Sequence, residues 1–296
     1  MSSANEQHRE DMSDRLRRAA DHFSVTLGDT PVFGWRDRTA GSRVCGTAGE
    51  SWLRVSWALT HWAEGDYWTG NEHASTIVGV PKPHVMDLYE WDEQDARVRA
   101  ELMTLIPELP CSATAELRGD LTLPDQWWRD LKSALDALAP QTTDRTVLTQ
   151  RQAGRRTLAF FGSVVDPTVS RWCTAHGDLN WSNITAPGLA LLDWESFGTA
   201  PAGYDAATLY CLALKAPATA NQVHDVFADV LDSPDGIRSQ LLVIARYLKR
   251  VEYGEFGDLA DLFHNHAHHL IAKFDLLSRC QQVMRDPAGL GQETAD

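Results

Sequence analysis

Short β-branched and aromatic runs separated by glycine are confined to the first third of this chain, and helical periodicity takes over afterwards. Val32-Phe33-Gly34-Trp35, Ser42-Arg43-Val44-Cys45-Gly46 and Ser51-Trp52-Leu53-Arg54-Val55-Ser56-Trp57 read as consecutive antiparallel strands with tight turns. Two further strands are expected over residues 84–91 and 98–105. Before the strands, residues 12–24 place Leu16, Ala19, Ala20 and Phe23 on one helical face. Residues 67–77 form a short expected helix carrying Glu72, and Val80-Pro81-Lys82-Pro83 after it cannot be helical throughout. Past Pro107-Glu108-Leu109-Pro110 the strand signals fade. Trp127, Leu131, Leu135 and Leu138 then recur at helical spacing, and residues 151–161, 205–214, 220–231, 238–253 and 259–279 read as helices. This order predicts an α+β chain with a small β-rich N-terminal lobe over residues 1–105 and a larger helical lobe over 106–296, hinged near 103–106.

Within the helical part lies one loop-and-strand segment with an unusual density of ordered polar residues. His176-Gly177-Asp178-Leu179-Asn180-Trp181-Ser182-Asn183 is followed ten residues later by Asp193, at the end of the apolar run Leu189-Ala190-Leu191-Leu192. An acidic residue, an amide five positions on and a second acidic residue after a strand form a set that can deprotonate an alcohol and hold magnesium against a nucleotide triphosphate. Any one of these residues is ordinarily explained as a turn former. The ordered set is not.

Composition narrows the classes. Hydrophobic residues make up 43% and charged residues 23% of the 296, as expected of a globular protein with a substantial core. Forty-one acidic residues against 27 basic ones give a formal charge of −14, which argues against nucleic acid as a partner and suits a cationic ligand. No apolar run approaches a membrane span, and the N-terminus lacks the apolar core of a secretory signal. The five cysteines, Cys45, Cys111, Cys173, Cys211 and Cys280, are dispersed without a Cys-x-x-Cys pair, so no disulfide framework or thiolate zinc site is expected. A cytoplasmic monomer or weak dimer is the expectation.

The segment from His176 to Asp205 resembles the active-site segment of the aminoglycoside phosphotransferase family, small-molecule kinases whose fold is related to protein kinases. The matching residues are His176-Gly177-Asp178-x-x-x-x-Asn183, then Leu192-Asp193-Trp194-Glu195, with Gly198, Pro201, Gly203 and Asp205 behind. The resemblance implies a bilobal protein-kinase-like fold and transfer of the γ-phosphoryl group of ATP (or GTP) to a hydroxyl of a small molecule. Nucleotide is then expected between the lobes, with its adenine against Met103, Thr104 and Leu105. By position, Asp178 is the base or orienting carboxylate for the acceptor hydroxyl. Asn183 and Asp193 hold Mg2+, His176 braces the loop, and Asp205 accepts amide hydrogens of the loop or of a helix start. An aminoglycoside-like acceptor is the first expectation. Choline, a sugar or homoserine is the alternative, and so is a nucleotide-binding protein without turnover.

Two departures from the family stand out. The family's third-strand lysine, which binds nucleotide phosphates and pairs with a helix glutamate, has no counterpart in Trp52-Leu53-Arg54-Val55. Arg54 is the expected substitute and Glu72 its expected partner, although arginine differs from lysine in reach and geometry. Lys82 sits between prolines, the wrong place for that role. Trp181 stands where the family has a small residue or proline and is expected to narrow the acceptor mouth. Trp181 and Trp194 are the tryptophans expected to stack on a substrate. Residues 34–41 lie where a phosphate-covering hairpin belongs. His264 and His268 share a helical face, but a zinc hydrolase would need a glutamate beside the first histidine, and it is absent.

Overall fold

The structure is a computed structural model that describes residues 3–28 and 30–285. It opens with helix α1 (Ser3–Phe23), whose Met12, Leu16, Ala19 and Ala20 form a buried stripe at three- and four-residue spacing. Strands β1 (Thr26–Leu27), β2 (Val32–Phe33), β3 (Thr39–Gly46) and β4 (Gly49–Leu59) follow, then the short helix α2 (Gly70–Ala74), β5 (Val85–Glu93) and β6 (Ala96–Thr104). They make one antiparallel sheet in the order β1-β3-β4-β6-β5, with β2 also paired to β3.

Side-chain alternation decides what each sheet face does. Leu53 and Val55 of β4, Val98 and Ala100 of β6, and Ala40 and Val44 of β3 turn inward with the α1 stripe to form one core cluster. Trp52 and Arg54, and likewise Arg99 and Glu101, occupy the alternate positions and belong to the other face. Since β4 and β6 are in antiparallel register with Arg54 directly opposite Glu101, the pattern puts a cation and a carboxylate side by side there.

The chain divides into two compact units, Met1–Leu109 with Ile184–Phe197 and Pro110–Asn183 with Gly198–Asp296. The expected break between residues 105 and 106 therefore falls four residues later, just inside the two-residue strand β7 (Leu109–Pro110). The sheet unit also takes back a segment from far down the chain. Strand β9 (Thr185–Ala186) begins that segment, Ile184 bridges Leu191 antiparallel, and the Leu191 amide donates to the Pro81 carbonyl at 2.8 Å.

The other unit carries α3 (Asp125–Leu138), α4 (Gln150–Phe161), β8 (Trp172–Ala175), β10 (Gly198–Pro201), α5 (Tyr204–Leu212), α6 (Pro217–Leu231), α7 (Pro234–Val251) and α8 (Ala260–Arg285). A Thr149–Gln152 capping box starts α4, and Ser233 caps α7 ahead of a proline at its first turn. Strands β8 and β10 pair antiparallel and flank the segment that holds His176 to Asp193 in sequence. Every residue of α5 except Tyr210 is buried, as are Leu241 to Ala245 of α7, so these two helices are the centre of the unit's core. Among the described residues, no helix is long and apolar enough to cross a membrane.

Candidate active site

The loop after β8 is built from amides and carbonyls that its own polar residues satisfy. Gly177 adopts a left-handed backbone, φ 80°, where a side chain would be strained. The Asp205 carboxylate at the start of α5 accepts the amides of His176 at 2.7 Å and Gly177 at 2.9 Å. Burial pushes Asp205 above the ordinary carboxylate range, while His176 and the two amides pull it back. His176 is fully buried, and its Nδ1 accepts the Asp178 amide at 3.4 Å. Farther along, the side-chain amides of Asn180 and Asn183 both donate to the Asp178 carbonyl, at 3.2 and 3.0 Å. Asn180 Oδ1 takes the amide and hydroxyl of Ser182.

Asp178 itself is only half-buried. Its Oδ1 accepts Arg246 Nη2 at 2.7 Å, and Arg246 Nη1 donates to the Gly177 carbonyl at 2.9 Å. Arg246 lies on α7, 68 residues beyond Asp178, and no sequence motif linked the two. Trp181 departs from expectation. It is fully buried, donates its indole N–H to the Leu209 carbonyl at 3.0 Å and packs edge-on against Trp128, so it fills the core and narrows no mouth.

In the sheet unit, Arg54 is the centre of an ionic cluster. Its Nη1 donates to Glu101 Oε2 at 3.1 Å, and its Nη2 lies against Glu195 and 3.5 Å from Asp193 Oδ1. Burial alone would lower its pKa, but Glu195, Asp193 and Glu101 outweigh burial and raise it. The expected Arg54–Glu72 pair does not form. Glu72 accepts instead from Arg99 Nη2 at 2.6 Å, and Arg99 also reaches Glu90 and Glu101. The reason is the helix itself, which has five residues rather than the eleven expected over 67–77. On so short a helix, Asn71 takes the inward position, and Glu72, about 100° further round, turns to Arg99. Asn71 Nδ2 donates to Glu101 Oε2 at 2.7 Å and its Oδ1 accepts the Trp194 amide at 2.9 Å. Gly70 lets this helix approach closely, since a Cβ there would lie 2.5 Å from the Glu195 Cα.

Asp193 sits in a left-handed conformation, φ 61°, with a side chain 43% exposed. Trp194 is buried to 1% and donates its indole N–H to the Leu191 carbonyl at 2.8 Å, so it too is a core residue and offers no stacking face. Met103 is buried at the end of β6, and the Thr104 amide is committed to the His84 carbonyl at 2.9 Å. Leu105 is the first residue past the strand. Lys82 is buried with its ammonium on the Ile77 carbonyl at 2.9 Å, and burial lowers its pKa. Between β2 and β3, residues 34–38 make a short turn that Arg9 ties to α1 through Asp37 at 2.9 Å.

The oxygen donors suit magnesium. In the helical unit Asn183 spends its side-chain N–H on Asp178 and keeps Oδ1 as an acceptor; in the sheet unit the Asp193 carboxylate lies 3.5 Å from Arg54 and is 43% exposed. Around Arg54 and Arg99 the carboxylates of Glu72, Glu90, Glu101, Asp193 and Glu195 outnumber the two cations. Hard oxygen ligands supplied one or two at a time, completed by phosphates, are what Mg2+ takes. Among the described residues, no group of three or more His, Cys, Asp or Glu could hold a metal by itself. His264, His268 and His269 on α8 are exposed, and His266 turns inward to Gln240.

A scan of family models finds no match, and neither does a search of curated proteins. Solved structures do match. A thermostable mutant of aminoglycoside phosphotransferase APH(4)-Ia, in a ternary complex with ADP and hygromycin B, superposes over 87% of this chain and 98% of its own with a TM-score of 0.58 and 13% identity. Another structure of APH(4)-Ia covers 89% of this chain and 97% of its own, with a TM-score of 0.54 and 12% identity. The chain has the aminoglycoside phosphotransferase fold. Within that fold, an α+β fold of the protein-kinase-like type, the sheet unit contains Arg54, Glu72, Met103, Thr104, Leu105 and Asp193, and the helical unit contains His176, Asp178 and Asn183.

Proposed function

We propose that this chain is a phosphotransferase that moves the γ-phosphoryl group of ATP or GTP to a hydroxyl of a small molecule. The observation that carries the reading is Asp178. One oxygen of its half-buried carboxylate is held by Arg246, its backbone carbonyl is held by Asn180 and Asn183, and its other oxygen remains available to an acceptor hydroxyl. A residue held by its main chain and by one carboxylate oxygen, with the other oxygen open, is suited to align a nucleophile, and positioning is the larger part of phosphoryl-transfer catalysis.

The sheet unit's part is the nucleotide. Arg54 takes phosphate oxygens with its planar fork. The main chain around Met103, Thr104 and Leu105 faces the adenine, with Leu105 the first residue free of the strand ladder. Asn183 and Asp193 hold Mg2+, which supplies charge neutralisation of the phosphates when bound. His176 and Asp205 keep the loop in shape. An aminoglycoside-like acceptor heads the list because the APH(4)-Ia structure holds hygromycin B and because a formal charge of −14 favours cationic ligands. Choline, sugars and homoserine follow.

One observation favours a binding protein without turnover, namely that Arg54 is already engaged by three carboxylates. Nucleotide consumption measured against a panel of these acceptors, for the wild type and Asp178→Asn, separates the readings. Acceptor-stimulated turnover that falls about 1,000-fold in Asp178→Asn, with nucleotide affinity kept, supports transfer. Nucleotide binding with no acceptor-stimulated turnover in either protein supports the non-catalytic reading.

A further inference from the structure

We infer that Arg246 is the positioning residue for Asp178, a part that falls outside the motif and is supplied by α7. The inference rests on the phosphotransferase reading. Two nitrogens of one guanidinium hold two consecutive residues, Nη1 on the Gly177 carbonyl at 2.9 Å and Nη2 on Asp178 Oδ1 at 2.7 Å. Because the guanidinium is planar and rigid, these contacts fix the carboxylate relative to its own main chain, as two bonds to unrelated donors would not.

The main chain at that point is held from the other side. Asp205 takes the Gly177 amide, and Asn180 and Asn183 take the Asp178 carbonyl. With the backbone anchored fore and aft and Oδ1 anchored by Arg246, the second oxygen has a single direction left in which to present itself.

The setting of Arg246 suits this use. It follows five buried apolar residues, Leu241 to Ala245, and its own side chain is half-buried beside the Tyr247 ring at 5.7 Å. Burial works against the charge, and Asp178, with Tyr204 and Tyr247, more than restores it. A half-buried cation needs a partner to hold it there, and Asp178 is the partner. A lysine at 246 could reach one of the two acceptors as a point charge but could not span both.

The test uses the full chain with magnesium and ATP. It reads hydrolysis with water as acceptor, nucleotide affinity from a fluorescent ATP analogue, and thermal melting. Arg246→Met should lower kcat about 100-fold with KM for ATP unchanged within about twofold, the scale expected from misplacing one group. Arg246→Lys should keep the fold but recover only a small part of that rate. In an Asp178→Asn background, Arg246→Met should cause no further loss, because its effect passes through Asp178. Losses that multiply in the double variant, or full rescue by lysine, overturn the positioning role. Wild-type turnover that Arg246→Met leaves unchanged overturns it as well, and leaves the phosphotransferase reading standing. A wild type that binds no ATP and turns none over brings down that reading and the inference together.

Discussion

The helical unit and the sheet unit hold their charges in opposite ways. In the helical unit each charged group of the loop has dedicated partners, Asp205 the amides of His176 and Gly177, and Asp178 the fork of Arg246. In the sheet unit Arg54 and Arg99 are shared among five carboxylates, and Glu101 alone is claimed by Arg54, Arg99 and Asn71. The first arrangement is satisfied as it stands and fixes geometry. The second carries surplus negative charge, five carboxylates around two guanidiniums. Where a helix residue, Glu72, was expected to pair with Arg54, the carboxylate is a strand residue, Glu101, directly across the ladder from the arginine.

The largest expected effect tests that relocation. Glu101→Gln leaves two largely buried guanidiniums sharing a neutral amide, and should cost about 3–5 kcal/mol, read from urea or guanidinium unfolding. Glu72→Gln, by contrast, should cost under about 1 kcal/mol and leave nucleotide binding intact, because Glu72 is 43% exposed and serves only Arg99. If the two variants behave alike, the helix glutamate has kept its role and the comparison fails. Next in size, Asp205→Asn removes the charged acceptor of two amides and should cost about 1.5–3 kcal/mol in the same unfolding measurement. A loss much below this would mean that the loop is held without it. Gly70→Ala should cost about 1–3 kcal/mol by forcing α2 away from Glu195, with nucleotide affinity falling in parallel.

A pH-dependent effect acts on the helical unit alone. His266 has its pKa lowered to about 4 by burial and by the neighbouring His269, His224 and Lys273. The unfolded chain therefore takes up a proton in the range between about 6.5 and about 4 that the folded one refuses. Stability should fall as pH drops through that window, by at most about 1.4 kcal/mol per pH unit. Asp232, whose pKa is lowered by Lys273 and His224 against the opposing effect of burial, acts only below it. Melting curves of His266→Gln should lose this slope, and an unchanged slope would assign it to another group.

Much of this was legible in the chain. The sheet-then-helices order and the spacing from His176 to Asp193 are local patterns, and local patterns survive into the structure because periodicity and turn chemistry act over a few residues. Helix starts survive less well, the first helix beginning at Ser3 where residue 12 was expected. The helix at 67–77 was overestimated because Gly70 and Thr69 break its start and only one turn fits against Glu195. The Arg54–Glu101 pair could have been read by registering the two strands, since Arg54 and Glu101 each alternate with core residues. Arg246 could not, because nothing near residue 246 signals a contact 68 positions back. Trp181 and Trp194 misled for a simpler reason. Adjacency in sequence to reactive residues says nothing about which way an indole points, and both rings turn inward to find carbonyl acceptors.

The return of residues 184–197 to the sheet unit has a consequence for how this chain can be made and divided. During synthesis, the first 109 residues emerge with Arg54 and Glu101 already present, but Asp193 and Glu195 follow only after the first part of the helical unit has been made. The sheet thus waits, with part of its counter-charge missing, for a segment encoded much later. A gene cut at residue 109 would deliver the same unfinished piece permanently. Any modular exchange of the sheet unit between such proteins would have to carry two fragments of sequence rather than one.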